Sequence, residues 1–437
     1  MSFNKKKVAF YTLGCKVNQY ETESIKHKLV KMGYEEVPFE ETADFYIVNS
    51  CTVTSIADRK TRNILRRAKK SNDNSKVIVT GCYAQTNGEE LLNIDEVDYV
   101  VGNTNKNGVI DLIENIYKKN ISPIEVKDMF KDEKYEELEF TTFREMSRAY
   151  IKIQDGCNNF CSYCKIPFAR GKSRSRRLEN IIEEAKKLAE EGFKEIILIG
   201  INLGAYGEDF EEKITFEDLL EEVSKVEGIT RIRIGSMYPD KINDRFVDIM
   251  KNNKKMMPHL HISLQSCNDD VLKGMKRKYG TDLIIERLST LRENVKNMEY
   301  TADVIVGFPG ETKEMYEDSK RIIGEIGFST LHVFPYSERE NTLAITYSDK
   351  VDPAEKKRRV RDLENAEEIN GKKIRQKYIG KNLKVLIEEK KNKGYYGYSE
   401  NYLRVKIKDN ENLKLNVNDE MNVKIIDLEK GLLIGEV

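Results

Sequence analysis

No stretch of the 437-residue sequence stays apolar long enough to cross a bilayer as a helix. The opening run, MSFNKKKVAF, is basic but has no apolar core and no small-residue cleavage site behind it, so it does not read as a secretory signal. Charge of one sign is not in surplus either, because 74 Lys and Arg balance 74 Asp and Glu; bulk charge therefore points to no anionic partner. Histidines number four, and His259 and His261, which alternate on one expected strand, have no third ligand nearby in sequence. They read as polar residues lining a barrel. Together these absences lead to the expectation of a cytoplasmic protein with no membrane partner.

The length exceeds what one hydrophobic core serves, so several domains are expected. With 34% charged and 39% hydrophobic residues the composition is that of a globular protein rather than a disordered one. Basic charge is locally clustered. Segment 59–70, RKTRNILRRAKK, carries seven basic residues and no acid, and segment 170–177, RGKSRSRR, carries five. A charge run is ordinarily a solvated helix face, but both runs follow shortly after a cysteine, which favours RNA.

The fold class is α/β. Three strand-then-helix units open the chain: KVAFYTLG before Cys15, DFYIVNS before Cys51 and KVIVTG before Cys82. That alternation predicts an open parallel sheet over 1–120, with the three strand ends on the edge where such sheets bind ligands. Residues 121–148 lack a clear period and read as a linker. Strands at 149–153, 195–200, 231–235, 259–264, 302–307 and 330–334 alternate with helical segments, predicting a partial (β/α)6 barrel over 149–350. A charged helix over 351–376 connects to short alternating runs over 377–437, the pattern of a small β-barrel.

Seven cysteines in a reducing compartment are not a disulfide framework. Cys157, Cys161 and Cys164, spaced C-x3-C-x2-C, can take three irons of a 4Fe-4S cluster and leave the fourth open. Structural zinc usually asks for four ligands in paired spacing, so a lone trio fits it poorly. Cys15, Cys51 and Cys82 are scattered, and scattered cysteines are ordinarily small buried hydrophobes. Their shared position at the ends of strands of one sheet argues instead for a common metal site. Cys267 is left over and reads as a buried thiol.

TLGCKVNQYETE, NSCTVTSIADRKTR, GCNNFCSYCKIPFARGKSRSR and HVFPYSERE resemble the radical-SAM methylthiotransferase family, and within it the branch acting on N(6)-threonylcarbamoyladenosine in tRNA. The resemblance covers nearly the whole chain. It implies two 4Fe-4S clusters, an auxiliary one on Cys15, Cys51 and Cys82 and one binding S-adenosylmethionine (SAM) on Cys157, Cys161 and Cys164. It implies no catalytic residue beyond the cluster-bound cofactor, and it places Tyr163, Gly200, Asn202, Gly307 and Gly310 near SAM. By themselves the glycines are equally well ordinary tight turns.

The expected reaction adds a methylthio group to carbon-2 of the adenosine beside the tRNA anticodon, with a flavodoxin or ferredoxin as reductant. Isopentenyladenosine or a ribosomal protein as substrate, and a non-catalytic zinc-dependent RNA-binding protein, remain alternatives. The tail resembles the TRAM domain, in which Lys393, Tyr395, Tyr396, Tyr398, Arg404 and Lys406 offer aromatic and cationic contacts for RNA, or plain packing. Where the family pattern shows LQSG, this chain has Cys267 in LQSC, which puts the backbone after the fourth barrel strand in doubt.

Overall fold

Short runs rich in β-branched and aromatic residues, each stopped by a glycine or cysteine turn, form the four central strands of the N-terminal sheet. A computed structural model describes residues 5–116, 121–131, 134–138, 147–391, 394–408 and 414–437. In it β1 (Lys7–Thr12), β2 (Glu35–Glu36), β3 (Phe45–Ser50), β4 (Lys76–Gly81), β5 (Tyr99–Val101) and β6 (Ile124–Glu125) make one parallel sheet in the order β2-β1-β3-β4-β5-β6. Both faces are covered, which is why FYIVNS in β3 is buried throughout rather than alternating. Tyr46, Val48, Val77 and Val79 pack on the helix Ser55–Ser71, and Phe45, Ile47 and Ile78 pack on Lys16–Lys31 and Gly108–Asn115. The edge strand β6 lies in the segment expected to be a linker, so the start of that segment completes the N-terminal sheet.

The barrel wall is built from β7 (Arg148–Lys152), β10 (Glu195–Ile199), β11 (Arg231–Ile234), β12 (Ser236–Met237), β13 (His259–Gln265), β14 (Glu299–Val306) and β15 (Thr330–Pro335), all parallel. Gly235 divides the wall into β7-β10-β11 and β12-β13-β14-β15, and a bridge from Ile232 to Met256 joins the halves. The six expected strands all form, shifted by a few residues at most. Between β7 and β10 a small antiparallel pair, β8 (Gln154–Asp155) and β9 (Arg174–Ser175), brackets the cysteine loop.

Helix Pro353–Gln376 starts where Asp352 accepts hydrogen bonds from the backbone N–H of Ala354 and Glu355, with Pro353 in the first turn. It leads to a closed barrel, β16 (Asn382–Lys391), β17 (Gly394–Ser399), β18 (Arg404–Lys408), β19 (Glu420–Glu429) and β20 (Leu432–Glu436), ordered β16-β17-β18-β20-β19. This small barrel docks on the large one through Tyr402, whose ring stacks 4.6 Å from His259 and 4.6 Å from Tyr398. No helix among the described residues is long and apolar enough to cross a membrane.

Candidate active site

Strand register brings the three N-terminal cysteines together. Thr12 on β1 lies opposite Asn49 on β3, and Ser50 lies opposite Gly81 on β4, so the turns carrying Cys15, Cys51 and Cys82 leave the sheet side by side. Gly14 adopts φ +102°, and a Cβ there would stand 2.9 Å from Cys51 Cβ and 3.1 Å from its Sγ. Only glycine permits that approach. Two asparagines pin the turns: Asn18 Nδ2 donates to Leu13 O at 2.8 Å and Ser50 O at 3.0 Å, and Asn49 Nδ2 donates to Asn18 O at 3.0 Å. Cys51 and Cys82 are buried. Cys15 stays accessible although protein surrounds it, and burial together with the neighbouring Cys82 raises its thiol pKa, despite a lowering by Arg170. Burial pushes the Cys51 thiol up to about 12.

The second trio sits on the loop after β8. Gly156, at φ +73°, has Lys172 O where a Cβ would be, 1.9 Å away, which keeps the loop tight against β9. Cys157 N donates to Gly171 O and Cys164 N to Cys161 O. Burial, then the charge of Cys161, pushes the Cys164 thiol up to about 12. For Cys15, Cys51, Cys157 and Cys164, all raised by burial, the thiolate form is therefore disfavoured until a positively charged group binds. No cysteine is in a disulfide.

Tyr163 accepts a hydrogen bond from Arg277 Nη2 at 2.7 Å. Asn202 Nδ2 reaches Cys157 Sγ at 4.0 Å while its buried Oδ1 has no partner among the described residues. That orphaned acceptor suits an ammonium group such as SAM carries. A Cβ at Gly200 would meet Leu203 and Gln154 and one at Gly307 would meet Lys356, while nothing lies within 4 Å of one at Gly310.

Arg277 and Tyr238 were not singled out in the sequence. The Arg277 guanidinium lies 4.6 Å from the Tyr238 ring and interacts electrostatically with Cys161. Tyr238 directly follows β12, a position at the mouth of a parallel barrel that was an available signal, whereas Arg277 comes after the helix Asp269–Gly274 that follows β13.

A buried ionic cluster joins the two trios. Arg170, on the short helix Ile166–Arg170 that follows Cys164, donates from Nη1 to Glu21 at 2.7 Å and to Asp155 at 3.0 Å, and from Nη2 to Asn18 Oδ1 at 2.7 Å. Lys152 Nζ bridges Glu21 at 2.9 Å and Asp155 at 2.6 Å, and Lys106 stands 3.6 Å from Glu21. The same helix packs on Cys82–Thr86. Beyond it, Arg339 of HVFPYSERE donates to Asp58 at 2.6 Å and to Thr52, the residue after Cys51, at 2.7 Å.

Three expectations need correction. Segment 170–177 is not an RNA-facing run, since Arg170, Arg174 and Arg176 are buried and Arg170 and Arg176 pair with carboxylates. Tyr395 lies in the core of the small barrel, and the partly exposed Tyr398 packs against Arg148, Arg404 and Tyr402; Tyr396 is likewise partly exposed, and Lys393 lies outside the described residues. After the fourth strand, the positive φ falls on Gln265, at +67°, rather than on Cys267. Cys267 is buried, as expected, and its N–H donates to Ser319 Oγ. His259 and His261 line the barrel, both bonded to Thr301. Segment 59–70 lies on the helix Ser55–Ser71 with Arg59, Lys60, Arg66 and Lys70 exposed.

Residues 7–102 match Uncharacterized protein family UPF0004 and residues 151–323 match the Radical SAM superfamily. The solved structure of the radical SAM methyltransferase TsrM from Kitasatospora setae superposes with TM-score 0.57 at 15% identity, covering 76% of this chain and 75% of that one. The partial barrel and its cysteine loop thus define a radical-SAM enzyme.

Threonylcarbamoyladenosine tRNA methylthiotransferase MtaB from Bacillus subtilis is 42% identical over 413 residues, 93% of this chain and 91% of that protein. MtaB from Aquifex aeolicus is 38% identical, covering 92% and 96%. The tRNA-2-methylthio-N(6)-dimethylallyladenosine synthase of Clostridium botulinum is 33% identical, covering 97% and 95%. The chain belongs to the radical-SAM methylthiotransferase family, whose cofactors are SAM and two 4Fe-4S clusters.

Proposed function

We propose that this enzyme adds a methylthio group to carbon-2 of N(6)-threonylcarbamoyladenosine next to the tRNA anticodon, at position 37. The observation that carries this reading is the convergence of two separate thiol trios on one domain boundary, joined through Arg170 and Glu21. Cys15, Cys51 and Cys82 would hold the auxiliary cluster and Cys157, Cys161 and Cys164 the SAM cluster, each with one iron free of cysteine. When bound, the SAM cluster would supply the electron for reductive cleavage of SAM, and the open iron of the auxiliary cluster would hold the sulfur that is methylated and transferred.

The chain's own residues orient and insulate that chemistry. Asn202 offers its unpaired Oδ1 to the SAM ammonium, and Arg277 with Tyr163 and Tyr238 closes one side of the loop. Asn18 and Asn49 hold the auxiliary turns in place. We assign residues 1–120, completed by β6 at Ile124–Glu125, to the auxiliary-cluster unit, 149–350 to the SAM unit, 351–376 to a connecting helix and 377–437 to a TRAM barrel. The exposed cations Arg59, Lys60, Arg66 and Lys70 lie on the helix that follows Cys51 and would track the phosphates of the anticodon stem-loop. A small redox protein such as a flavodoxin or ferredoxin is the expected electron source.

The threonylcarbamoyl substrate is favoured by the 42% and 38% relatives that carry it in their names, against 33% for the dimethylallyl synthase. Mass spectrometry of tRNA nucleosides after anaerobic turnover with SAM, reductant and a sulfur source tests this. Methylthio product from threonylcarbamoyl-tRNA alone supports the reading. Product from isopentenyl-tRNA, or none from either tRNA while SAM is cleaved, would overturn it.

A further inference from the structure

We infer that the inside of the large barrel holds an anion-binding subsite centred on Lys16, which receives the carboxylate of the acyl arm on carbon-6 of the target adenine. The inference rests on the threonylcarbamoyl reading above and adds the side chain that would select it. Lys16 follows Cys15 directly and opens the helix Lys16–Lys31, and its side chain lies against the first barrel strand, Arg148–Lys152. Its ammonium lies 5.9 Å from the Tyr150 ring and within electrostatic reach of Arg148, Glu195, Arg233, His259, His332 and Tyr402.

Charge at this place is unbalanced. Arg148 pairs with Glu388 at 2.5 Å, Arg231 with Glu195 at 2.7 Å and Glu420 at 3.2 Å, and Arg233 with Glu195 at 3.0 Å. Lys16 is the remaining cation, with no carboxylate at ion-pair distance among the described residues. Partly buried cations without a counter-ion are costly, so a site that keeps one gains most from an incoming anion.

The adjoining wall is polar as well. His261 bonds Thr301 Oγ1 at 2.8 Å and Asp303 Oδ2 at 3.2 Å, and its ring centroid is 5.6 Å from that of the exposed His332. These groups can meet the amide and hydroxyl of a threonylcarbamoyl arm. An apolar isopentenyl arm would cover them without replacing their water. Carbon-2 and carbon-6 of adenine flank the same ring nitrogen. A base held with carbon-2 at the Cys15 turn would keep its carbon-6 arm near that turn, where the Lys16 side chain starts.

The test uses the full-length reconstituted enzyme and two anticodon stem-loops, one bearing N(6)-threonylcarbamoyladenosine and one bearing its threonine amide, in which the carboxylate is neutral. Binding is read by fluorescence anisotropy without reductant, and KM and kcat are read with it. Wild type should prefer the acid by about tenfold or more in affinity and KM, as expected for a charged hydrogen bond. Lys16→Met should bind both alike, and Lys16→Arg should restore the preference, with the visible absorbance of each variant checking that clusters are present. Equal binding of acid and amide by wild type overturns the subsite, as does a Lys16→Met protein that keeps the preference. If wild type modifies isopentenyl-tRNA instead, the substrate reading itself has failed, a result distinct from either of those.

Discussion

Arg170 and Glu21, 149 residues apart in sequence and on different domains, meet at 2.7 Å with both side chains almost wholly buried. Burial alone would raise the Glu21 pKa, but Arg170, Lys152 and Lys106 outweigh it and hold the carboxyl well below its usual range. Asp155 is held low in the same way by Arg170, Lys152 and Arg174. The pair is thus a charged joint between the sheet that carries one thiol trio and the loop that carries the other.

Glu21→Gln should destabilise the apo-protein strongly, by about 3–5 kcal/mol, because it leaves Arg170, Lys152 and Lys106 with Asp155 as the remaining buried carboxylate of the cluster. Urea unfolding of the two proteins checks this. An unchanged midpoint would mean that the joint contributes nothing net.

Acid should weaken the same joint. Glu21, Asp155 and Glu195 all have folded-state pKa values below the unfolded ones, Glu195 at about 2, where Arg233, Arg231 and Arg148 overcome the upward push of burial. Groups shifted down stabilise fully above the ordinary carboxylate pKa of about 4 and lose that contribution as pH falls through the folded value. The urea midpoint of the apo-protein should therefore drop from pH 6 to pH 3, and Glu195→Gln should flatten part of the drop.

Gly14→Ala should cost the auxiliary cluster, since the new Cβ meets Cys51 Cβ and Sγ. Gly33→Ala is the control: φ is +97°, but nothing lies within 4 Å, so strain of about 1–2 kcal/mol is expected without loss of iron. Iron analysis and electron paramagnetic resonance distinguish the two. Full iron content in Gly14→Ala would remove the Cys15 turn from the cluster site.

Cys157→Ala should abolish SAM cleavage, whereas Cys51→Ala should leave cleavage intact and stop methylthiolation. Chromatographic detection of 5′-deoxyadenosine, with mass spectrometry of tRNA nucleosides, reads both steps. Abundant methylthio product from either variant would refute the division of labour between the trios.

Replacing Arg59, Lys60, Arg66 and Lys70 by alanine together should weaken tRNA binding whatever the sequence and flatten its salt dependence, by about 0.9 in the log–log slope per phosphate contact in a duplex stem. Filter binding at several salt concentrations measures it. An unchanged slope would place the RNA elsewhere.

Local pattern was enough for the elements. The six barrel strands, the helix Pro353–Gln376 and the three strands ending at cysteines follow from hydrophobic period and turn residues, which depend on neighbours in sequence. Parallel pairing then carried Cys15, Cys51 and Cys82 to one edge, because strands joined by helical crossovers must point the same way. The C-x3-C-x2-C loop needed no fold at all to be recognised.

Which charges are buried was decided only by the tertiary structure. RGKSRSRR and RKTRNILRRAKK look alike as strings, yet Arg170 and Arg176 are buried against Glu21, Asp155 and Glu184, while Arg59, Lys60, Arg66 and Lys70 stay in water. Burying these arginines is tolerated because carboxylates meet them, and those stand on other elements, far away along the chain. For the same reason Lys16 and Tyr402 carried no signal of their own: each acquires its role from partners that folding brings to it from other segments of the chain.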